Sequence, residues 1–414
     1  MHKQANSRIS IFLTSLLRGG ISLAFLFLLI EFFDELNYGA EGAALPAIRT
    51  DLALSYAQIG LLLGLPSIIN TLIEPVLMLL GDTRWRKHIM LGGGLAIAVS
   101  LLAMASAQSF PILLLAMILS YPASGAFVTL AQATLMDLNP GREAQSMARW
   151  TVAGSIGNLI GPLLLAGGFA LGWGWRWAYA ALAGLCLAMV LLAWPRRLPL
   201  HPHAASEGAE RAASLRPLLG GLKDAARNPR LLRWMALIQF SDLMLDVLTG
   251  YLALYFTDVS GFSKAQTGVL LSMVMLAGLI ANIILVPLLE RVPGRGVVRA
   301  SAALVIPLYA AWLLAPWAWA KIGLIILIRL VTLGWYEVLQ GEAYAAVPGR
   351  SGTVMAIHSV VGVLGGGVAW LVGWVAAQAG LPAAMWLLLL GPVCLVLFVP
   401  RHRQTNDPWR PVRV

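Results

Sequence analysis

Acidic side chains recur inside the apolar stretches of this sequence, at spacings that place them on single helix faces. Glu31, Asp34, Glu35 and Tyr38 follow one another at i, i+3, i+4 and i+7, which is one stripe of an α-helix. Several carboxyl groups in one dehydrated cleft cannot all ionise cheaply, because desolvation and like-charge repulsion both favour the protonated form. The stripe therefore predicts groups that hold a proton and release it when water reaches them.

The same chemistry reappears in the second half of the chain. Asp242 and Asp246 are at i and i+4, with Gln239 one turn earlier. We interpret the two aspartates as proton-coupling groups together with Asp34 and Glu35. Asp34 is nearest the middle of its apolar stretch, so it is the predicted main proton carrier.

Other polar side chains in these stretches are candidates to bind a solute. They are Asn37, Tyr38, Gln132, Gln239, Arg329, Tyr336, Glu337 and Gln340. Arg329 is open to two interpretations, as a ligand for an anionic group or as a structural partner of a nearby carboxylate. Arg149 lies one turn inside its apolar stretch and His358 is alone in another, and for both a functional and a structural role stay open.

The elements that position these groups follow from composition. The chain has 414 residues, of which 59% are hydrophobic and 12% are charged, and its mean hydropathy is +0.79. Soluble domains have about 25% charged residues, so the chain must lie in lipid. Its apolar runs last twenty residues or more, whereas barrel strands alternate over about ten. The predicted class is an all-α polytopic membrane protein.

The net charge of +10 does not indicate nucleic-acid binding, because basic residues in membrane proteins concentrate in cytoplasmic loops. The two cysteines, Cys186 and Cys394, lie inside apolar runs and are interpreted as core residues. No cofactor and no metal site is predicted.

Apolar length and turn residues predict twelve spans. Their approximate ranges are 22–48, 57–80, 89–107, 110–137, 146–171, 176–195, 232–257, 265–289, 298–316, 321–346, 352–378 and 382–399. The predicted organisation is a six-helix bundle over 1–195, a basic cytoplasmic linker over 196–231, and a second six-helix bundle with a cytoplasmic tail over 232–414.

Lys and Arg residues give the predicted orientation. With the N-terminus in the cytoplasm, most of them fall in cytoplasmic segments, and the outside loops hold only Arg49, Arg176, Lys264 and Lys321. This bias favours two cytoplasmic termini in a multi-pass protein of the cell (inner) membrane.

The chain also repeats itself at a fixed offset of 208 residues. The matching landmarks are Asp34 with Asp242, Gly42 with Gly250, Gln58 with Gln266, Asp82 with Glu290, Gln132 with Gln340, and Gly157 with Gly365. Two pseudo-symmetric six-helix halves in parallel orientation are therefore predicted. Parallel repeats with a site between them are one plan of secondary transporters.

These features resemble the major facilitator superfamily over essentially the whole chain. Between spans 2 and 3 that family carries a motif like Gly-x3-Asp-Arg-x-Gly-Arg-Arg. Asp82, Arg86 and Lys87 match it, while both glycines and the first basic position differ. The resemblance implies that Asp82, Arg84, Arg86 and Lys87 form a latch that closes the cytoplasmic side.

A second motif lies in span 5. Gly157, Gly161, Pro162, Gly167 and Gly168 resemble the family's antiporter motif Gly-x3-Gly-Pro-x2-Gly-Gly, with four residues before the last pair instead of two. Glycine-rich helix faces also allow close backbone packing, so the motif is open to a structural interpretation.

The resemblance implies a secondary active transporter of a small organic solute that works by alternating access. We expect proton-coupled export, with protons, the solute and the lipid bilayer as partners of a monomer. Proton-coupled import of an organic metabolite, which includes anionic ones, is the alternative. A membrane enzyme is not expected, because the sequence has no HExxH motif, no Cys/His cluster and no soluble catalytic domain. A GxxxxGK[ST] phosphate loop is absent as well.

Overall fold

The computed structural model describes residues 22–81, 85–138, 143–196, 228–289, 292–332, 334–346 and 351–400. These residues form twelve helical spans without strands. The spans are α1 (Leu23–Asp51), α2 (Tyr56–Gly81), α3 (Arg86–Ser106), α4 (Phe110–Ser124, Gly125–Thr129 and Leu130–Asp137), α5 (Glu143–Ala170), α6 (Trp175–Ala193), α7 (Pro229–Asp242, Leu243–Val247, Leu248–Leu254 and Tyr255–Val259), α8 (Lys264–Leu289), α9 (Gly294–Leu314), α10 (Ala318–Val331 and Trp335–Ala345), α11 (Ser351–Ala379) and α12 (Leu381–Met385, Trp386–Leu389 and Leu390–Phe398).

The predicted all-α class and the twelve spans are confirmed, with every boundary within four residues of its prediction. In the described part of the chain, 11 helices are long and apolar enough to cross a membrane. α1 is long enough as well, with 29 residues. It is not among those 11 helices because Glu31, Asp34 and Glu35 give one short segment of it three charged residues.

Three π-helical turns interrupt the described helices. They cover Gly125–Thr129 in α4, and Leu243–Val247 and Tyr255–Val259 in α7. α10, predicted as one continuous span, is broken between Val331 and Trp335, where Gly334 has a φ of 73° that a glycine adopts without strain. Subtracting 208 from that break gives 123–127, which overlaps the π turn of α4, so both halves interrupt the same helix of the repeat in the same region.

Within the N-terminal half, glycines bring α5 against α1. A Cβ atom at Gly157 would collide with the backbone oxygen of Phe32, and one at Gly161 with that of Leu36. On the other side of the contact, Gly39 lies against Pro162 and the backbone of Asn158. Gly157 and Gly161 of the antiporter-like motif therefore pack two backbones together.

The two halves meet mainly through α2 with α11 and through α5 with α8. In the first contact Gly64 faces Gly366 and Gly60 faces Gly373, backbone against backbone. In the second, the Ser272 hydroxyl donates to the backbone oxygen of Leu159 at 3.0 Å. We call the end of the bundle where α1 ends and α2 begins the Arg49 end, and the end where α3 begins the Arg86 end.

The predicted domain limits at 195, 196–231 and 232 stay a prediction. Residues 197–227, the bulk of the predicted linker, and 401–414, the predicted tail, lie outside the described residues.

Candidate functional site

A cavity of about 300 Å³ lies between the two halves, and we call it the central cavity. Its wall contains pairs of residues that the offset of 208 relates. Both members of each pair line it, as in Tyr38 with Asp246, Glu41 with Thr249, Gly42 with Gly250 and Leu63 with Leu271. The central cavity therefore lies on the pseudo-two-fold axis, where parallel-repeat transporters place their binding site.

Carboxyl groups enter the central cavity from both halves. Glu41 on α1 is only 9% exposed, and the Tyr121 hydroxyl on α4 donates to its Oε1 atom at a long 3.5 Å. Asp242 and Asp246 reach the cavity from α7, where the Gln239 amide lies 3.5 Å from the Oδ2 atom of Asp242. Asp246 lies in a π-helical turn, a distortion frequent at functional sites.

Asp34 and Glu35 face neighbouring helices of their own half. The Ser124 hydroxyl, next to the π turn of α4, donates to Asp34 Oδ1 at 2.6 Å. The Asn158 amide on α5 donates to Glu35 Oε2 at 2.8 Å. Neither acid is among the residues that line the described cavities. Each is nonetheless held in one orientation by a hydrogen bond.

A second pocket of about 440 Å³, the side pocket, lies within the C-terminal half. Asp242 and Asp246 line it as well as the central cavity, so they form the wall between the two. Arg329, Tyr336 and Glu337 line its other side. The broken segment of α10 exposes Thr332 and Gly334 to the same space.

Arg329 is the positively charged residue among those that line the side pocket. Its Nε atom is buried against Gly278 and has no hydrogen-bond partner within the described part of the chain. The guanidinium shares the side pocket with Asp242 and Asp246. The structure thus brings Arg329 near the predicted acidic pair without a direct ion pair among the described residues.

The other predicted site residues are more scattered. Asn37 is partly buried and its Oδ1 atom has no hydrogen-bond partner among the described residues. Gln340 is 9% exposed, and Gln132, its repeat equivalent, is partly buried; neither lines a described cavity. The side chain of Arg149 is exposed, while that of His358 lies outside the described residues.

Half of the predicted latch lies in the described structure. Arg86, the first residue of α3, is buried, and Lys87 is partly exposed. Asp82 and Arg84 lie outside the described residues, so the latch stays a prediction.

An ion pair that the sequence analysis missed joins the halves at the Arg49 end. Arg49 of α1 donates to Asp258 of α7 at 2.7 Å, and the Tyr56 hydroxyl of α2 donates to the same carboxylate oxygen at 2.9 Å. The guanidinium also lies 4.2 Å from the centre of the Tyr56 ring. Both partners lie at span ends, where a charge is ordinary, so the sequence held no signal for the pair.

Glu41, Tyr121 and Thr249 are further cavity residues that the predicted site did not include. Glu41 was visible as an acid in an apolar stretch, and the repeat pairs it with Thr249. The described residues contain no cluster of His, Cys, Asp and Glu that fits a metal ion.

Comparison with known proteins identifies the architecture. The family model of the Major Facilitator Superfamily matches residues 26–369. No curated protein sequence matches the chain. Similar solved structures include a bacterial homologue of the human lysosomal transporter Spinster in an inward-facing and occupied conformation, with 15% identity, a TM-score of 0.74, and 91% of this chain and 95% of that chain covered.

Two further transporters share the fold. The nucleoside transporter NupG is 15% identical with a TM-score of 0.72, over 91% of this chain and 97% of its own. The peptide transporter POT in complex with sulfate is 15% identical with a TM-score of 0.68, over 92% and 94%. At these identities the likeness concerns the fold, and the family match covers most of the chain. The chain belongs to the Major Facilitator Superfamily of membrane transporters.

Proposed function

We propose that this protein is a secondary active transporter that exports a small organic solute in exchange for protons by alternating access. The observation that supports the proposal most is the central cavity on the pseudo-two-fold axis. Carboxyl groups enter it from both halves, and ionisable groups inside a membrane usually mark substrate or proton pathways. The family supports transport, and the coupling and direction are our inference.

The inter-half contacts support alternating access. The Arg49–Asp258 pair and the backbone contact of Gly60 with Gly373 lie between the central cavity and the Arg49 end. A cavity beside a closed end is one of the two states that alternating access requires. We assign the Arg86 end to the cytoplasm, so this state accepts solute from inside the cell.

Proton coupling is carried by the acids of α1 and α7. Asp34 and Glu35 hold hydrogen bonds within the N-terminal half, and Asp242 and Asp246 line the cavities of the C-terminal half. Tyr38, one turn after Glu35 on α1, lines the central cavity together with Asp246, so the two sets approach each other across the boundary between the halves. A proton taken up by one set therefore changes the charge that the other set faces.

Import of an anionic metabolite is the second candidate, and Arg329 is the observation that favours it. The guanidinium lines the side pocket with its Nε atom unpaired. However, Asp242, Asp246 and Glu337 line the same pocket. Three carboxyl groups near Arg329 offset its positive charge and disfavour binding of an anion in this pocket. We therefore prefer export to import as the proposed function.

Proteoliposomes that contain the purified full-length chain test the proposal. A ligand-stabilisation screen at two pH values first selects compounds that bind. An imposed pH gradient should then drive those compounds across the membrane, with matching proton movement reported by an enclosed pH-sensitive dye. Movement of the selected compounds at the rate of protein-free liposomes, whatever the gradient, would contradict proton-coupled transport.

A further inference from the structure

The charge balance of the central cavity differs between the two halves. In the C-terminal half, Arg329 and Asp246 line the same side pocket. Subtracting the repeat offset of 208 from Arg329 gives Tyr121, which contacts Glu41 in the N-terminal half. A tyrosine therefore stands in the N-terminal half where the C-terminal half has its cation.

Glu41 is left without a cation as a result. It is nine-tenths buried, and its described polar contact is the 3.5 Å approach of the Tyr121 hydroxyl. Intramembrane carboxylates normally pair with a cation or a polar network. No described ion pair involves Glu41, and it faces the cavity.

The other residues of the cavity wall are also suited to bind a positively charged solute. Its described lining contains three carboxyl groups and no Lys, Arg or His. Two tyrosines, Tyr38 and Tyr121, also line it, and aromatic faces attract organic cations through the ring quadrupole. Leu63, Leu271 and Met275 supply apolar surface for the remainder of a guest.

We infer that the substrate class is a small organic cation, an ammonium group attached to an apolar or aromatic body. Its charged end lies between Glu41 of the N-terminal half and Asp246 of the C-terminal half, beside Tyr38 and Tyr121. This inference rests on the proposed function, whose solute it names by charge. The bound cation contacts both halves. It supplies the positive charge near Glu41 that Arg329 supplies near Asp246 in the C-terminal half.

Three benzyl compounds that differ in charge test the inference on the purified full-length protein. They are benzyltrimethylammonium, the neutral benzyl alcohol and the anion phenylmethanesulfonate. Binding is measured by isothermal titration calorimetry and by the shift in melting temperature. We expect binding of the cation at least about tenfold tighter than that of the other two. Equal or tighter binding of the anion or the alcohol would overturn the inference.

Two variants locate the binding. Glu41→Gln removes one charge at nearly constant shape and should weaken cation binding by about tenfold or more. Glu74→Gln is the matched control, because Glu74 is a partly buried acid of the same half that does not line the described cavities and accepts a hydrogen bond from Asn70 at 2.9 Å. Unchanged affinity in Glu41→Gln, or an equal loss in both variants, would refute the assigned site.

The same compounds separate this inference from the proposed function. Cation binding that depends on Glu41, without any effect of a pH gradient on transport, would leave the substrate class standing and refute proton coupling. Gradient-driven transport of the anion with no cation binding would refute the substrate class and leave proton coupling standing.

Discussion

Arg49 and Asp258 connect the two halves of the protein through one ion pair at the Arg49 end. The two residues come from α1 and α7, which the repeat makes equivalent, and their side chains are 29% and 17% exposed. Because α1 and α7 also carry the acids of the candidate site, we expect separation of this pair to accompany rearrangement of the site. The pair is one contact that must break when the Arg49 end opens.

The first prediction concerns this pair. Arg49→Gln should shift the population toward states open at the Arg49 end by about 1.4–5-fold, since partly exposed ion pairs contribute roughly 0.2–1 kcal/mol. Spin labels placed on the two halves at that end report the distance distribution. Arg176→Gln is the control, because Arg176 pairs with Asp51 inside the N-terminal half. A distribution that changes equally in both variants would exclude a specific role for Arg49.

The second prediction concerns the glycine contact between α2 and α11. Gly64→Ala places a methyl group against the backbone oxygen of Gly366. Overpacking of this kind costs roughly 1–3 kcal/mol, so we expect the closed Arg49 end to be disfavoured and transport to slow by about tenfold. Gly92→Ala is the control, because a Cβ atom there has nothing within 4 Å. Normal transport by Gly64→Ala would show that the halves do not need this close approach.

The third prediction concerns coupling. Asp34→Asn keeps a partner for the Ser124 hydroxyl but carries no exchangeable charge, so it should abolish gradient-driven transport while binding or energy-independent exchange remains measurable. Asp242→Asn should behave similarly. Asp51→Asn, at the far end of the same helix α1, serves as the control. Full gradient-driven transport in both test variants would remove Asp34 and Asp242 from the coupling pathway.

The fourth prediction concerns topology. In a background without Cys186 and Cys394, a cysteine at Lys87 should react with an impermeant thiol reagent from the cytoplasmic side only. A cysteine at Lys264 should react from the opposite side. Intact and inverted vesicles from the same cells provide the comparison. Reaction of both cysteines from one side would contradict the proposed orientation.

The number of helices and their boundaries were predictable because they follow from the length of the apolar runs. The repeat was predictable because matching residues recur at a fixed spacing. The offset of 208 even relates the pairs that line the central cavity, such as Glu41 and Thr249. Side-chain direction was not predictable in the same way. Asp34 and Asp242 are repeat equivalents, yet the carboxyl of Asp34 faces Ser124 while Asp242 lines two cavities.

The reason is that a helix's rotation depends on its neighbours. α1 is held by backbone contact with α5, whereas α7 contains a π turn over Leu243–Val247 that rotates Asp246 and the residues after it relative to a regular helix. Lys321 shows the same limit. The sequence places it in an outside loop, and the structure buries its ammonium group, which donates to the Tyr255 hydroxyl at 2.8 Å and to the backbone oxygen of Trp312 at 2.9 Å.

The acid load of α1 has a consequence for biosynthesis. Each aspartate at the centre of a nascent span opposes insertion by about 2.5–3.5 kcal/mol, and α1 carries Glu31, Asp34 and Glu35 within five residues. In the folded protein these acids contact Ser124, Gly154 and Asn158. Those residues belong to α4 and α5, which are translated about a hundred residues later. We therefore expect the first span to remain with the insertion machinery until α5 emerges, so that assembly of this half waits on its fifth helix.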